Sequence, residues 1–186
     1  MNATQSGWMS LWVESGRWRR HISGYHAWVP CSSIIYQIAA AGRAFLEPHW
    51  RRWHADWGSP EPVLPSQWTC VRSSAFLSAI LTDAGMPAHV ESGVPDPNTA
   101  DTDATGFWKG DMWCSHAWVR CGGFIADITS DQFGGPAIIV TASPDGRYRP
   151  GTNQKSTLIL SPAGTAMLEP LLSECRLRAR CWMDDP

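Results

Sequence analysis

The chain has 186 residues, 44% of them hydrophobic, with 15 Lys and Arg against 17 Asp and Glu and a net charge of −2. That length allows one domain that buries a core without disulfides or metal, and the balanced charge excludes the broad basic surface that drives phosphate binding, so no nucleic-acid partner is expected. There is no apolar stretch of about 18 residues, and Arg17, Arg19 and Arg20 are not followed by a signal-type apolar run, so a cytoplasmic chain with no membrane association is expected.

Residues 1–33 mix Trp, Arg and Gly without a steady period and are assigned to an N-terminal extension; residues 34–186 are assigned to a single domain. A helix is expected over 33–46 and a second over 48–56, with Pro48 between them. Trp50, Trp53 and Trp57 recur on one helical face and read as core rather than as a ligand platform. The prolines of WGSPEPVLPSQ impose a loop. In CVRSSAFLSAILTDAG, Leu77, Ile80, Leu81 and Ala84 make an apolar helical stripe, and Gly85 supplies the stop. AHVESG reads as a strand. Residues 94–111 form a connection rich in Gly, Pro and Asp, long enough to act as a lid and without packed structure of its own. HAWVRC and FIADIT flank Gly122-Gly123, the signature of a two-residue hairpin; PAIIVT is a further strand, and residues 166–182 suit a helix.

The motif HAWV occurs twice, with His26 in GYHAWVPC and His116 in CSHAWVRC. If Gly122 and Gly123 turn the hairpin, Cys121 faces Phe124, Arg120 faces Ile125 and Trp118 faces Asp127. His116 and Asp127 then share a face one diagonal apart, roughly 7 Å between Cβ atoms, within reach of a carboxylate–imidazole bond. Asp131 lies on the same face along the opposite diagonal and is the alternative orienter. His26 is followed by Pro30, Cys31 and a helix, with no returning strand, and reads as structural. Of six cysteines, Cys70 stands where the Pro-rich loop gives way to a helix, so its sulfur would meet unpaired amides that favour thiolate. Cys31, Cys114, Cys121, Cys175 and Cys181 read as small apolar residues. Cys175 and Cys181 are about 600° apart on a helix and cannot share a metal. Asp96, Asn98, Asp101 and Asp103 carry oxygen ligands but lack the Gly and Glu of a calcium loop, so no metal and no cofactor is expected.

The succession Cys70, then GMPAHVESG, then HAWVRCGGFIADIT resembles the core of the transglutaminase-like superfamily, a papain-like cysteine fold, over residues 68–129. More loosely, it is similar to phage and bacterial proteins with His-Ala-Trp followed by Asp-Ile-Thr-x-Asp-Gln-Phe. The resemblance implies an α+β fold in which a nucleophile helix packs on an antiparallel sheet, with Cys70 as nucleophile, His116 as base and Asp127 as orienter. Such a site attacks an amide carbonyl and forms an acyl-enzyme. Its oxyanion would meet the Cys70 amide and either the Gln67 side chain or the Trp68 indole. Trp118 and Trp108 are candidates for substrate contact, Trp118 equally for core. The expected activity is hydrolysis of an amide in a peptide, a protein or a peptidoglycan stem; acyl transfer or deamidation by the same triad, and a non-catalytic module of the same fold, are the alternatives.

Overall fold

Apolar residues recur every three or four positions from Ile35 through Ile38, Ala39, Leu46, Trp50 and Trp53, and this stripe is wound into one helix, α1 (Cys31–Trp57). The break expected at Pro48 does not occur. Pro48 is exposed, while Leu46, His49 and Trp50 beside it are buried, so packing continues across the proline and outweighs the roughly 3 kcal/mol an interior proline costs. The helix also begins inside the stretch assigned to the extension. Trp50 and Trp53 are core, but Trp57 is 42% exposed and stacks on the Arg72 guanidinium at 4.9 Å. The computed structural model describes residues 31–98, 100, 102–151 and 162–181; His26 with the first HAWV copy, residues 1–30 of the assigned extension, and Trp182 lie outside the described residues.

Helix α2 (Cys70–Asp83) buries Phe76, Leu77, Ile80 and Leu81. Its end follows from Gly85, which takes φ 76° and closes the helix: Gly85 N–H donates to Thr82 O at 2.9 Å and Met86 N–H to Leu81 O at 3.0 Å. Gly42 of α1 lets the two helices meet closely, since a Cβ there would come within 2.9 Å of Ile80 Cδ1. Helix α3 (Pro162–Cys181) starts a few residues earlier than expected and adds Leu168, Leu171 and Leu172 to the same core.

The strands among the described residues are β1 (Ala88–Gly93), β2 (Gly106–Trp108), β3 (Trp113–Cys114), β4 (His116–Cys121), β5 (Phe124–Asp127), β6 (Ile139–Ala142) and β7 (Tyr148–Arg149). Together with the helices they make an α+β fold. All pairings are antiparallel, in a four-stranded sheet of order β1-β4-β5-β6 and a three-stranded sheet of order β3-β2-β7. The period of two along β4 sorts its side chains: Ala117, Val119 and Cys121 join the helix-side core, whereas Trp118 joins Phe107, Ile125, Ile139 and Tyr148 on the other side. No helix among the described residues is long and apolar enough to cross a membrane.

The connection 94–111 does contain packed structure, contrary to expectation. Gly106-Phe107-Trp108 forms β2, central in the small sheet, and Phe107 is only 4% exposed. The polar composition of the connection masked this short apolar triplet, whose strand partners β3 and β7 both lie later in the chain. The two sheets touch at Gly93, opposite His116 in the β1–β4 register: a Cβ on Gly93 would strike the Gly106 amide and come within 2.6 Å of Arg149 O. Only a hydrogen fits there. Gly93→Ala should therefore destabilise the protein by about 2 kcal/mol or more, read as a lowered urea midpoint; an unchanged midpoint would show that the sheets separate freely at this point.

Candidate active site

The hairpin register matches the reading of the sequence, with Val119 opposite Ala126, Arg120 opposite Ile125 and Cys121 opposite Phe124 across a turn in which Gly122 takes φ 58°. This register brings His116 and Asp127 together. His116 Nε2 lies 2.7 Å from Asp127 Oδ2, and both side chains are wholly buried. A carboxylate only accepts, so Nε2 carries the hydrogen. The second carboxylate oxygen accepts from the Thr129 amide at 2.9 Å and the Thr129 hydroxyl at 3.2 Å, which explains the Asp-x-Thr spacing: the chain turns back onto its own carboxylate. Tyr148 of β7 donates its hydroxyl to Oδ2 at 3.0 Å.

These contacts set the protonation of the pair. Burial opposes charging of His116, but the Asp127 charge, their hydrogen bond and the adjacent Cys70 outweigh it and push the imidazole up to about 9. For Asp127, burial would favour the neutral acid, yet the His116 charge and the bonds from His116, Thr129 and Tyr148 hold the carboxyl below its ordinary value. Aromatic rings enclose the imidazole: Phe133 at 4.9 Å and Phe107 at 5.5 Å, both edge-on, with Trp118 at 6.2 Å.

Cys70 is the first residue of α2 and half-buried. Three contacts fix its place. One turn on, the Ser74 hydroxyl donates to Ala117 O at 2.9 Å, tying the start of α2 to the residue after His116. Behind it runs a buried relay: Trp50 Nε1 donates to Ser73 Oγ at 2.9 Å, Ser73 to Thr69 Oγ1 at 3.2 Å, and Thr69 to Ser66 O at 2.7 Å. Because its hydroxyl is engaged there, the N-cap residue Thr69 makes no side-chain cap, and no acidic residue occupies the first turn. The opening amides of α2 are thus left for an anion beside the Cys70 sulfur. The third contact is Gln132, whose Oε1 accepts from Trp68 N–H at 3.3 Å while its Nε2 donates to Thr129 O at 2.9 Å, joining the loop before Cys70 to the loop after Asp127.

The Cys70 side chain acts on the His116 ring. With Nε2 bonded to Asp127, Nδ1 is the other ring nitrogen, buried and without a hydrogen-bond partner. Burial pushes the Cys114 and Cys175 thiols up and takes Cys121 to about 11.

The remaining candidates separate clearly. Asp131 does not orient His116: its carboxylate is bound by Arg43 of α1, at 2.7 Å and 3.2 Å. Arg43 also donates to Ile128 O at 2.7 Å and Ala137 O at 2.9 Å, so this buried cation clamps the segment following β5. Trp118 is not a substrate contact, because it is fully buried with its indole nitrogen donating to Glu91 at 3.0 Å. Trp108 is half-buried and packs on Trp113 across the β2–β3 pair at 5.5 Å. Gln67 Oε1 accepts from Val63 N–H at 2.8 Å. Trp68 is 50% exposed, takes the left-handed φ 62°, and lies edge-on to His54 at 6.1 Å. Among the described residues no three of His, Cys, Asp and Glu converge on a possible metal position. The sequence assigns no role to Arg43, Gln132, Phe107, Phe133 or Tyr148, although Gln132 and Phe133 stand in the Asp-Ile-Thr-x-Asp-Gln-Phe stretch. Phe107 and Tyr148 left only a faint signal, apolar residues in short runs flanked by turns.

No family model matches the chain, and neither curated proteins nor solved structures give a match to it.

Two outcomes test this geometry. Asp127→Asn should alter the pH dependence of Cys70 alkylation, whereas Asp131→Asn should leave it unchanged and lower stability by about 1–2 kcal/mol through loss of the Arg43 pair. Stability should also track pH through the pair. His116 rises from 6.5 to about 9 on folding, so its contribution is complete below pH 6.5 and is lost as pH climbs through 9; Asp127, depressed from 3.8, contributes above that value and loses its effect as pH falls through the folded one. In urea titrations, the stability difference between the protein and His116→Gln should therefore narrow from pH 6.5 to 9; a constant difference would contradict the assignment.

Proposed function

We propose that this chain is a cysteine-dependent amide hydrolase of papain-like, transglutaminase-like type, acting on a peptide, a protein or a peptidoglycan stem. The observation that carries the reading is the buried His116–Asp127 pair at 2.7 Å with its second ring nitrogen unpartnered beside Cys70 at the uncapped start of α2. The chain order supports it too: nucleophile helix, then the His strand, then the Asp strand.

In this reading the Cys70 proton already rests on His116 Nδ1, as the raised imidazole pKa favours, and the sulfur adds as thiolate to the amide carbonyl carbon. The carbonyl oxygen gains the negative charge and meets the first amides of α2, the Cys70 N–H foremost. Collapse of the adduct breaks the C–N bond, and the departing amine takes the proton from His116. Water then attacks the thioester, His116 removes its proton, and the acid leaves with Cys70 restored. Asp127 keeps Nε2 protonated and Nδ1 aimed at sulfur throughout, and the ring enclosure by Phe107 and Phe133 keeps water from competing for that bond.

Iodoacetamide should alkylate Cys70 at least about tenfold faster than the other cysteines near pH 7, as mapped by peptide mass spectrometry, and His116→Ala should abolish that advantage. Cys70→Ala should remove amide cleavage while keeping the fold. Equal slow labelling of every cysteine in the folded protein would overturn the proposal.

A further inference from the structure

Asp127 has an unusual share of its donors supplied from far along the chain. Thr129 serves Oδ1 from two residues away, as part of the turn that ends β5. Oδ2 accepts from two distant side chains at once, His116 Nε2 at 2.7 Å and Tyr148 Oη at 3.0 Å. Tyr148 reaches this oxygen because β7 pairs with β2, placing it opposite Phe107, with its ring 5.0 Å from Phe107 and 5.2 Å from Trp118, both edge-on. It is 6% exposed, and burial together with the nearby Asp127 charge raises its pKa, so the phenol keeps its proton and serves as a donor.

We propose that Tyr148 is a positioning residue of this site: its hydroxyl, carried by the small sheet, fixes the Asp127 oxygen that orients His116 and draws off part of that oxygen's charge. This inference rests on the catalytic reading of Cys70, His116 and Asp127.

An oxygen that accepts two hydrogen bonds gives less of its charge to each donor. Without the phenol, Oδ2 would hold the imidazolium proton more tightly and the carboxylate could rotate about its Cβ–Cγ bond. His116 would then be a weaker acid toward the leaving amine and a less fixed base. The charged and titratable groups around the pair are Cys70 from α2, His116 from β4, Tyr148 from β7, and Arg147 just before it, whose charge Asp127 stabilises while Asp145 binds it at 2.6 Å and 3.0 Å. Arg43 of α1 is bonded to the adjoining Ile128 carbonyl, Ala137 O, Glu47 and Asp131, and not to either member of the pair. Removing the hydroxyl alone leaves all of these in place.

The test is the full-length Tyr148→Phe variant, which keeps the ring and its aromatic contacts. The His116 titration midpoint, followed by nitrogen-15 NMR of the imidazole, should rise by about half to one pH unit, and the pH profile of Cys70 alkylation should move with it. Uniform replacement of tyrosine by 3,5-difluorotyrosine, a stronger donor of nearly the same shape, should move the midpoint the opposite way, and this decides the matter should the phenylalanine variant fail to fold. Midpoints unmoved in the folded proteins would overturn the inference. Failure of the catalytic reading is a separate outcome: Cys70 in the wild-type protein would then label no faster than the other thiols, whichever way the His116 midpoint moved.

Discussion

A buried ion pair between His116 and Asp127 is the constraint around which the rest of the structure is arranged. Two charged groups taken fully out of water cost more than their attraction returns unless every lone pair and proton is matched. Here the matching is nearly complete on the carboxylate, which accepts from His116, Tyr148 and twice from Thr129. It is incomplete on the imidazole, where Nδ1 is buried without a partner. Cys70 of α2 is close enough to the ring to affect its charge. A fold built for stability alone would replace such a pair with apolar side chains, so its retention supports a chemical use for it.

The two faces of the four-stranded sheet divide the work. On one side, α1, α2 and α3 bury Leu, Ile, Phe and Trp side chains against Val90, Ala117, Val119 and Ala126, and this apolar burial holds the domain together. On the other, the small β3-β2-β7 sheet supplies Phe107 and Tyr148, which enclose and hydrogen-bond the ion pair. Helix α2 belongs to both. Its middle is core, while its first turn carries Cys70 to the end of the sheet where β4 begins and β5 ends. The Trp50–Ser73–Thr69 relay and the Ser74–Ala117 bond hold that placement.

Much of this was legible in the sequence where the determining signals are local. The Gly122-Gly123 turn and the period of two fix which residues of β4 and β5 face one another, and His116 with Asp127 follows from that register alone. The stripe and the Gly85 stop fix α2 in the same way. Legibility ended where pairing is distant or burial overrides a local rule. Pro48 marks a break that continuous packing cancels. Strands β2 and β7 are three and two residues long, and Phe107 meets Tyr148 across a gap of forty-one positions that no periodicity spans. The Arg43 clamp on Asp131 joins α1 to a segment 88 residues away, so face counting alone left Asp131 open as a rival to Asp127. The period of two places Trp118 on the His116 face, but its partner Glu91 lies on a neighbouring strand whose register the sequence does not specify.

The central claim is that Cys70 becomes acylated with His116 as its base. It is tested most directly by intact and peptide mass spectrometry of the protein after brief exposure to p-nitrophenyl acetate near neutral pH. The expected result is a single acetyl group on Cys70 that is lost to water over time and fails to form in His116→Ala. Acetylation spread over several residues, or equal acetylation of Cys70 with and without His116, would contradict the account.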